Sequence, residues 1–207
     1  DRFTPEGWEA IDREVVKGSL GSREAYEKIA PMVRVDVNRL RTHVLKHAAI
    51  DPFFVRFCRL AGKRGVDVKI VSDGLDFYIR AILEKHRLGE IEFYSNRVVF
   101  GREEAVAFEF PQANALCGRC GTCKNKILHD HRLMYEKIIY VGDGHSDICP
   151  SQCADLIFAK GELLRKCERE SAVPYRPFHD FREVSEYLKK TFDKRRAIRG
   201  ATREKES

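Results

Sequence analysis

Two kinds of hydrophobic spacing divide the chain. Up to about residue 50, apolar side chains recur three and four positions apart and no stretch alternates. Trp8, Ile11, Val15 and Val16 share one side of a helix that Thr4 is expected to cap and Pro5 to begin. Gly18 and Gly21 break it. Ser22 is expected to cap a second helix carrying Tyr26 and Ile29, and a third runs from about Asp36 through Leu40, Val44 and Leu45. The pattern then changes. Asp51-Pro52 opens a helix with Phe53, Phe54, Phe57, Leu60 and Ala61 on one face, and Gly65 ends it. Val66 to Val71 is a β-branched run and reads as a strand. Ser72-Asp73-Gly74 reads as a small polar turn, followed by a helix through Phe77, Ile79, Ile82 and Leu83. Ile91 to Phe110 alternates around a polar break at Gly101–Glu104, which predicts a β-hairpin. A cysteine-rich loop leads into a helix from Lys124 to about Arg132. Lys137–Val141 and Leu156–Ala159 are further strands. Helices at Glu162–Glu170 and Phe181–Phe192, the second capped by Asp180, close the pattern.

Strand, short turn, helix, repeated, is the grammar of an α/β fold. The expectation is a Rossmann-like parallel-sheet core with a small helical cap and a β-hairpin insertion. The cap covers 1–50, the core 51–192, and a basic tail, expected to fray, 193–207.

Composition changes this picture little. The chain has 207 residues, 43% of them apolar with 13 Phe, enough for a core without covalent staples. No run of about 18 apolar residues is present, which argues against a membrane span. The net charge is +6, and half of it lies in the tail, where six Lys/Arg face three Asp/Glu. The body is nearly balanced, which argues against a nucleic-acid-binding face. Seven cysteines outside any small secreted framework point to reduced thiols and a cytoplasmic protein.

The candidate chemistry lies at strand ends and helix starts. Ser72 follows the first strand, Lys124 opens a helix, and Asp143 and Asp147 follow the second strand. Ligands of open α/β sheets sit beyond the carboxyl ends of the strands. One hydroxyl, one ammonium and two carboxylates there suit a phosphate and a hard cation such as Mg²⁺. Taken singly, Ser72 is as well explained as a helix cap and Gly142-Asp143-Gly144 as a turn; their order together is what is specific.

That order resembles the haloacid dehalogenase superfamily of phosphatases. Ile70-Val71-Ser72-Asp73-Gly74 matches its second motif, Lys124 its third, and Val141-Gly142-Asp143 through Asp147 its fourth. The helical stretch before them is similar to the small cap of phosphoserine-phosphatase-like members. The cysteine-rich run and Leu156-Ile157-Phe158-Ala159 look like the methionine-salvage phosphatases that act on 2-hydroxy-3-keto-5-methylthiopentenyl-1-phosphate. The resemblance implies a Mg²⁺-dependent hydrolase of a small phosphorylated metabolite. Ser72, Asp73, Gly74 and Lys124 would hold phosphate, with Ser72 and Lys124 serving catalysis, and Asp143 and Asp147 would serve the metal. The superfamily's nucleophilic Asp-x-Asp is absent from the 207 residues, so the natural chain is expected to begin earlier, and these residues alone to be inactive. Phosphoserine phosphatase is the rival substrate reading.

Cys117-x-x-Cys120-x-x-Cys123 admits three readings: a structural zinc site, free thiols, or redox-active cysteines. Zinc needs a fourth ligand, for which His129, His131, Cys149 and Cys153 are candidates. A zinc-dependent nucleic-acid module built on this loop and the tail is the alternative of a different class.

Overall fold

The structure is a computed structural model that describes the backbone of residues 6–203 and the side chains of residues 6–192. Thr4 and Pro5 lie outside the described residues. The first helix, α1 (Trp8–Val16), begins after Gly7, and Gly18, at φ 75°, turns the chain out of it. The next helix, α2 (Ser22–Ile29), has Gly21 rather than Ser22 at its N-cap. Ser22 instead accepts a hydrogen bond from the Gly121 N–H. The third, α3 (Val37–His47), starts as expected. Asp36 caps it by accepting from the N–H groups of Asn38 and Arg39.

Beyond the cap the order is α4 (Phe54–Lys63), β1 (Lys69–Leu75), α5 (Asp76–Lys85), β2 (Glu92–Phe100), β3 (Val106–Glu109), α6 (Lys124–Arg132), β4 (Ile139–Gly142), a short α7 (Ile148–Ser151), β5 (Leu156–Ala159), α8 (Gly161–Glu170), β6 (Tyr175–Pro177) and α9 (Phe181–Arg203). The tail from Asp193 continues α9 in backbone to Arg203. Two expectations are corrected. Ser72-Asp73-Gly74 is not a turn before a helix; it belongs to β1, and α5 starts only at Asp76. The strand β6 was not foreseen, because three exposed residues ending in proline carry no alternation.

The α/β core holds two three-stranded sheets, ordered β1-β2-β3 and β4-β5-β6. The hairpin β2–β3 is antiparallel, and the other pairings between these strands are parallel. The buried strand β5 shows why the core closes. Alternate side chains point to opposite faces. Leu156 and Phe158 pack with Phe57, Ala61, Val184 and Leu188 of α4 and α9. Ile157 and Ala159 pack with Leu128 and Leu163 of α6 and α8. Each fully buried side chain of this size contributes about 1.5–3 kcal/mol. Among the described residues, no helix is long and apolar enough to cross a membrane.

Candidate active site

The end of β1 departs from regular pairing. Val71 pairs with Tyr94, yet the next pair is Leu75 with Asn96, so Ser72, Asp73 and Gly74 bulge out opposite Ser95. Within the bulge the Gly74 N–H donates to Ser72 Oγ at 3.1 Å, which leaves the serine hydroxyl proton free to donate elsewhere. A Cβ at Gly74 would displace the Tyr78 hydroxyl. The Asp73 carboxylate turns inward and accepts from the Thr122 N–H at 2.9 Å. That contact anchors the segment that begins α6, and therefore Lys124, beside the end of β1.

On the other side Lys124 reaches the loop after β4. Its ammonium donates to Asp147 Oδ1 at 2.7 Å and to Ser146 Oγ at 3.1 Å. The pair is desolvated, with the two side chains only 11% and 9% exposed. Asp147 also accepts from the Tyr140 hydroxyl at 2.7 Å and from the N–H groups of Asp143 and Gly144, each at 3.0 Å. Burial alone would raise the Asp147 carboxyl; the Lys124 charge and these donors outweigh it and hold the group below the usual carboxylate range. Burial and the neighbouring Asp147 push the Tyr140 phenol well up, so it stays a donor. A carboxylate offers about four acceptor positions, and the four donors fill them. In this arrangement Asp147 brackets the loop through all four.

Asp143 is its opposite. It is exposed, and among the described residues its carboxylate has neither a hydrogen bond nor an ion pair. Ser72, Lys124, Asp143 and Asp147 together line one cavity of about 630 Å³, bounded along its length by the facing edges of β1 and β4. Its deeper walls are apolar, including Phe57, Ile127 and Val141. Asp73 and Gly74 lie behind Ser72 rather than in the lining. Lys126, two residues past Lys124, is exposed and paired with Asp130.

The cysteine loop does not assemble a metal site. Among the described residues, no three His, Cys, Asp or Glu side chains are grouped as a metal would need. Cys117 is exposed, Cys120 half-buried and Cys123 buried, and all seven cysteines are free thiols. Cys117, Cys120, Cys123 and Cys149 lie near enough for their charges to act on one another, yet among the described residues they do not form a metal-binding group, so zinc here is not supported. Cys153 donates to Asn125 Oδ1 at 2.9 Å and sits 3.7 Å from His129 Nε2. Burial pushes the Cys120 thiol up to about 11, the wrong direction for redox reactivity at neutral pH. The loop instead docks against the α1–α2 region: the Arg119 guanidinium donates to Gly18 O, and its carbonyl accepts from the Arg23 N–H.

Sequence reasoning missed Asn96 and Thr122, which are fully buried behind Ser72. The signal was available: an asparagine in the middle of a strand with aromatic and β-branched residues towards both ends.

Comparison with known proteins agrees with this arrangement. Residues 32–162 match the family described as Putative Phosphatase. The chain is 29% identical to a 2-hydroxy-3-keto-5-methylthiopentenyl-1-phosphate phosphatase of Exiguobacterium sp., over 91% of this chain and 87% of that protein. It is 28% identical to the bifunctional enzyme MtnB/MtnX of Bacillus licheniformis over 92% of this chain, and spans 44% of that protein's length. The fold is similar to that of phosphoserine phosphatase, solved as an analogue of its phospho-aspartyl intermediate, with a TM-score of 0.64 at 21% identity, covering 88% of this chain and 85% of that one. The family match covers well over half of the 207 residues, and with the ordered Ser, Lys and Asp positions around one cavity it makes this chain a member of that phosphatase family.

Proposed function

We propose that the chain is the body of a magnesium-dependent phosphomonoesterase that hydrolyses 2-hydroxy-3-keto-5-methylthiopentenyl-1-phosphate in methionine salvage. The observation that carries the phosphatase chemistry is the meeting of Ser72, Lys124 and an unpaired Asp143 at the rim of one cavity. The substrate reading rests on the printed activity of the Exiguobacterium relative. Likeness to phosphoserine phosphatase is at the level of fold and does not move the substrate reading.

Each group has a defined task. The Ser72 hydroxyl, oriented by the Gly74 N–H, donates to a phosphoryl oxygen. Lys124 has three N–H donors and spends two of them on Asp147 and Ser146, which leaves one for phosphate. Its charge opposes the negative charge that builds on the transferring group. Magnesium suits the exposed carboxylate of Asp143, since it takes one or two carboxylates with the rest of its shell from water and phosphate. When bound, it supplies positive charge against the phosphoryl oxygens. Asp147 keeps Lys124 and the Asp143 backbone in register.

The test is release of inorganic phosphate by the natural full-length protein from 2-hydroxy-3-keto-5-methylthiopentenyl-1-phosphate and from phosphoserine, with magnesium and with EDTA. A higher kcat/KM for the first substrate, abolished by EDTA, is expected. Preference for phosphoserine overturns the substrate, and turnover unaffected by EDTA overturns the metal.

A further inference from the structure

Asn96 stands at the centre of β2 with no exposed surface. Beyond its flanking Ser95 and Arg97, the strand holds Phe93, Tyr94, Val98, Val99 and Phe100, residues strands favour, and asparagine is not one. A buried amide is tolerated only with partners, and those of Asn96 are specific. Its Nδ2 donates to the Asp73 carbonyl at 2.8 Å and to Asp73 Oδ1 at 3.2 Å. Its Oδ1 accepts from the Thr122 hydroxyl at 3.0 Å. Thr122, also without exposed surface, returns its N–H to Asp73 Oδ1. The result is a closed ring of Asn96, Asp73 and Thr122.

The ring's place gives it a consequence. Asp73 follows Ser72 in the bulge where β1 leaves the β2 ladder, so the Asn96 amide takes a carbonyl that the regular ladder would have bonded. Thr122 lies two residues before Lys124, and its own carbonyl accepts the Lys124 N–H at 3.0 Å. Gly121 allows this approach, because a Cβ there would press on Asn96 Oδ1 and Phe110. The cap joins at the same point: the Tyr26 hydroxyl donates to the Asp73 carbonyl at 3.1 Å. Only a side chain that both donates and accepts can close the ring. An aspartate in this place would set a carboxylate against the Asp73 carboxylate, and an aliphatic residue would leave Asp73 O and Thr122 short of a partner.

We propose that Asn96 is a positioning residue of the phosphatase site: acting through Asp73 and Thr122, it fixes the place of the Ser72 hydroxyl relative to the Lys124 ammonium. The inference rests on the assignment of those two groups to phosphate. Neither Asn96 nor Thr122 lines the cavity, so their effect on turnover passes entirely through Ser72 and Lys124.

The test uses the full-length protein with p-nitrophenyl phosphate as substrate and inorganic phosphate as ligand. Kinetic constants are measured for Asn96→Ala, Asn96→Asp, Thr122→Val and Thr122→Ser, and for Lys124→Ala as reference, all normalised to folded protein by circular dichroism. Misplacing reacting groups by about an ångström costs roughly 10²-fold. Asn96→Ala, Asn96→Asp and Thr122→Val are expected to lower kcat by on the order of 10–100-fold, with a smaller rise in KM and weaker phosphate binding. Thr122→Ser keeps the hydroxyl and is expected to stay close to wild type. In the Lys124→Ala background the Asn96→Ala effect shrinks, because the two changes act on one arrangement. Wild-type kcat in folded Asn96→Ala and Thr122→Val, or additive effects in the double variant, overturns the inference. If the Asn96 variants do not fold, the Thr122→Val and Thr122→Ser pair decides alone. Wild-type kcat in Lys124→Ala instead overturns the underlying assignment, which keeps the two failures apart.

Discussion

The two segments at the mouth of the cavity do the same job by different physics. In the bulge of β1, Asp73 is held by neutral donors, the Asn96 amide and the Thr122 N–H. After β4, Asp147 is held by a buried ion pair with Lys124, by a phenol and by two backbone N–H groups. The first bracket fixes geometry with neutral donors alone and pairs the Asp73 carboxylate with no cation among the described residues. The charged bracket holds the cation that a phosphate would meet and fills every acceptor of its carboxylate, which leaves Asp143 as the free one. Two similar aspartates, four residues apart, therefore carry different work.

Removing the charge at the centre of the second bracket has the largest expected effect. Lys124→Ala leaves Asp147 buried without its counter-charge, which costs about 3–5 kcal/mol, and lowers kcat by on the order of 10²–10³-fold through lost electrostatic stabilisation. Urea unfolding and phosphate-release kinetics read the two effects. Lys126→Ala, on the exposed side of the same helix, is expected to change stability by less than about 1 kcal/mol. Comparable losses in both variants would break the contrast between a buried and a solvated lysine.

Next come the two aspartates. Asp143→Asn is expected to lower turnover on the order of 10²-fold at limiting magnesium, with stability within about 0.5 kcal/mol of wild type, because the side chain is exposed and unpaired. Asp147→Asn is expected to destabilise by about 1–3 kcal/mol, since an amide cannot accept from all four donors. Stability loss in Asp143→Asn together with none in Asp147→Asn would reverse the assignment of ligand and bracket.

A single donor gives a smaller and sharper probe. Tyr140→Phe removes one hydrogen bond to the buried Asp147 carboxylate, worth about 1.5–3 kcal/mol for a charged acceptor. Thr122→Val removes a neutral bond, worth about 1 kcal/mol. Thermal unfolding of the two variants measures how much the charge adds.

The smallest effect lies outside the site, at a half-exposed pair. Hydrogen bonding from Arg132, with further help from the Ile138 N–H, holds the Asp155 carboxyl below its ordinary range. A depressed carboxyl contributes stability above its unfolded-state value, and that contribution is lost as pH falls through the folded-state value. Wild type is therefore expected to exceed Asp155→Asn by less than about 1 kcal/mol at neutral pH. Urea midpoints of the two should converge as the solution is acidified. A gap that widens in acid would contradict the sign.

Much of this was legible in the chain. The amphipathic spacing of α4, the apolar run of β5 and the alternation of β2–β3 are local patterns whose period matches the element they form. Lys124 as the first residue of α6 and Leu156–Ala159 as β5 emerged with the expected bounds. The order Ser72, Lys124, Asp143, Asp147 pointed to phosphate before any geometry was known. The bulge at Ser72–Gly74 was not legible, because it is a mismatch of register between β1 and a partner twenty residues away. The short strand β6 was missed because an exposed strand has no hydrophobic face to announce it.

The amino-acid sequence by itself determined which elements form and which chemically able residues stand at their ends, since both follow from side-chain type and spacing along the chain. Only the tertiary structure decided what each of those residues is free to do. Asp143 and Asp147 are the same side chain in one loop. Burial against Tyr140 and Lys124 consumes the acceptors of Asp147, while exposure leaves those of Asp143 open. Asn96, unremarkable as a letter, gains its place because β1, β2 and the loop before α6 meet around it, and a buried amide must take whatever partners that meeting provides.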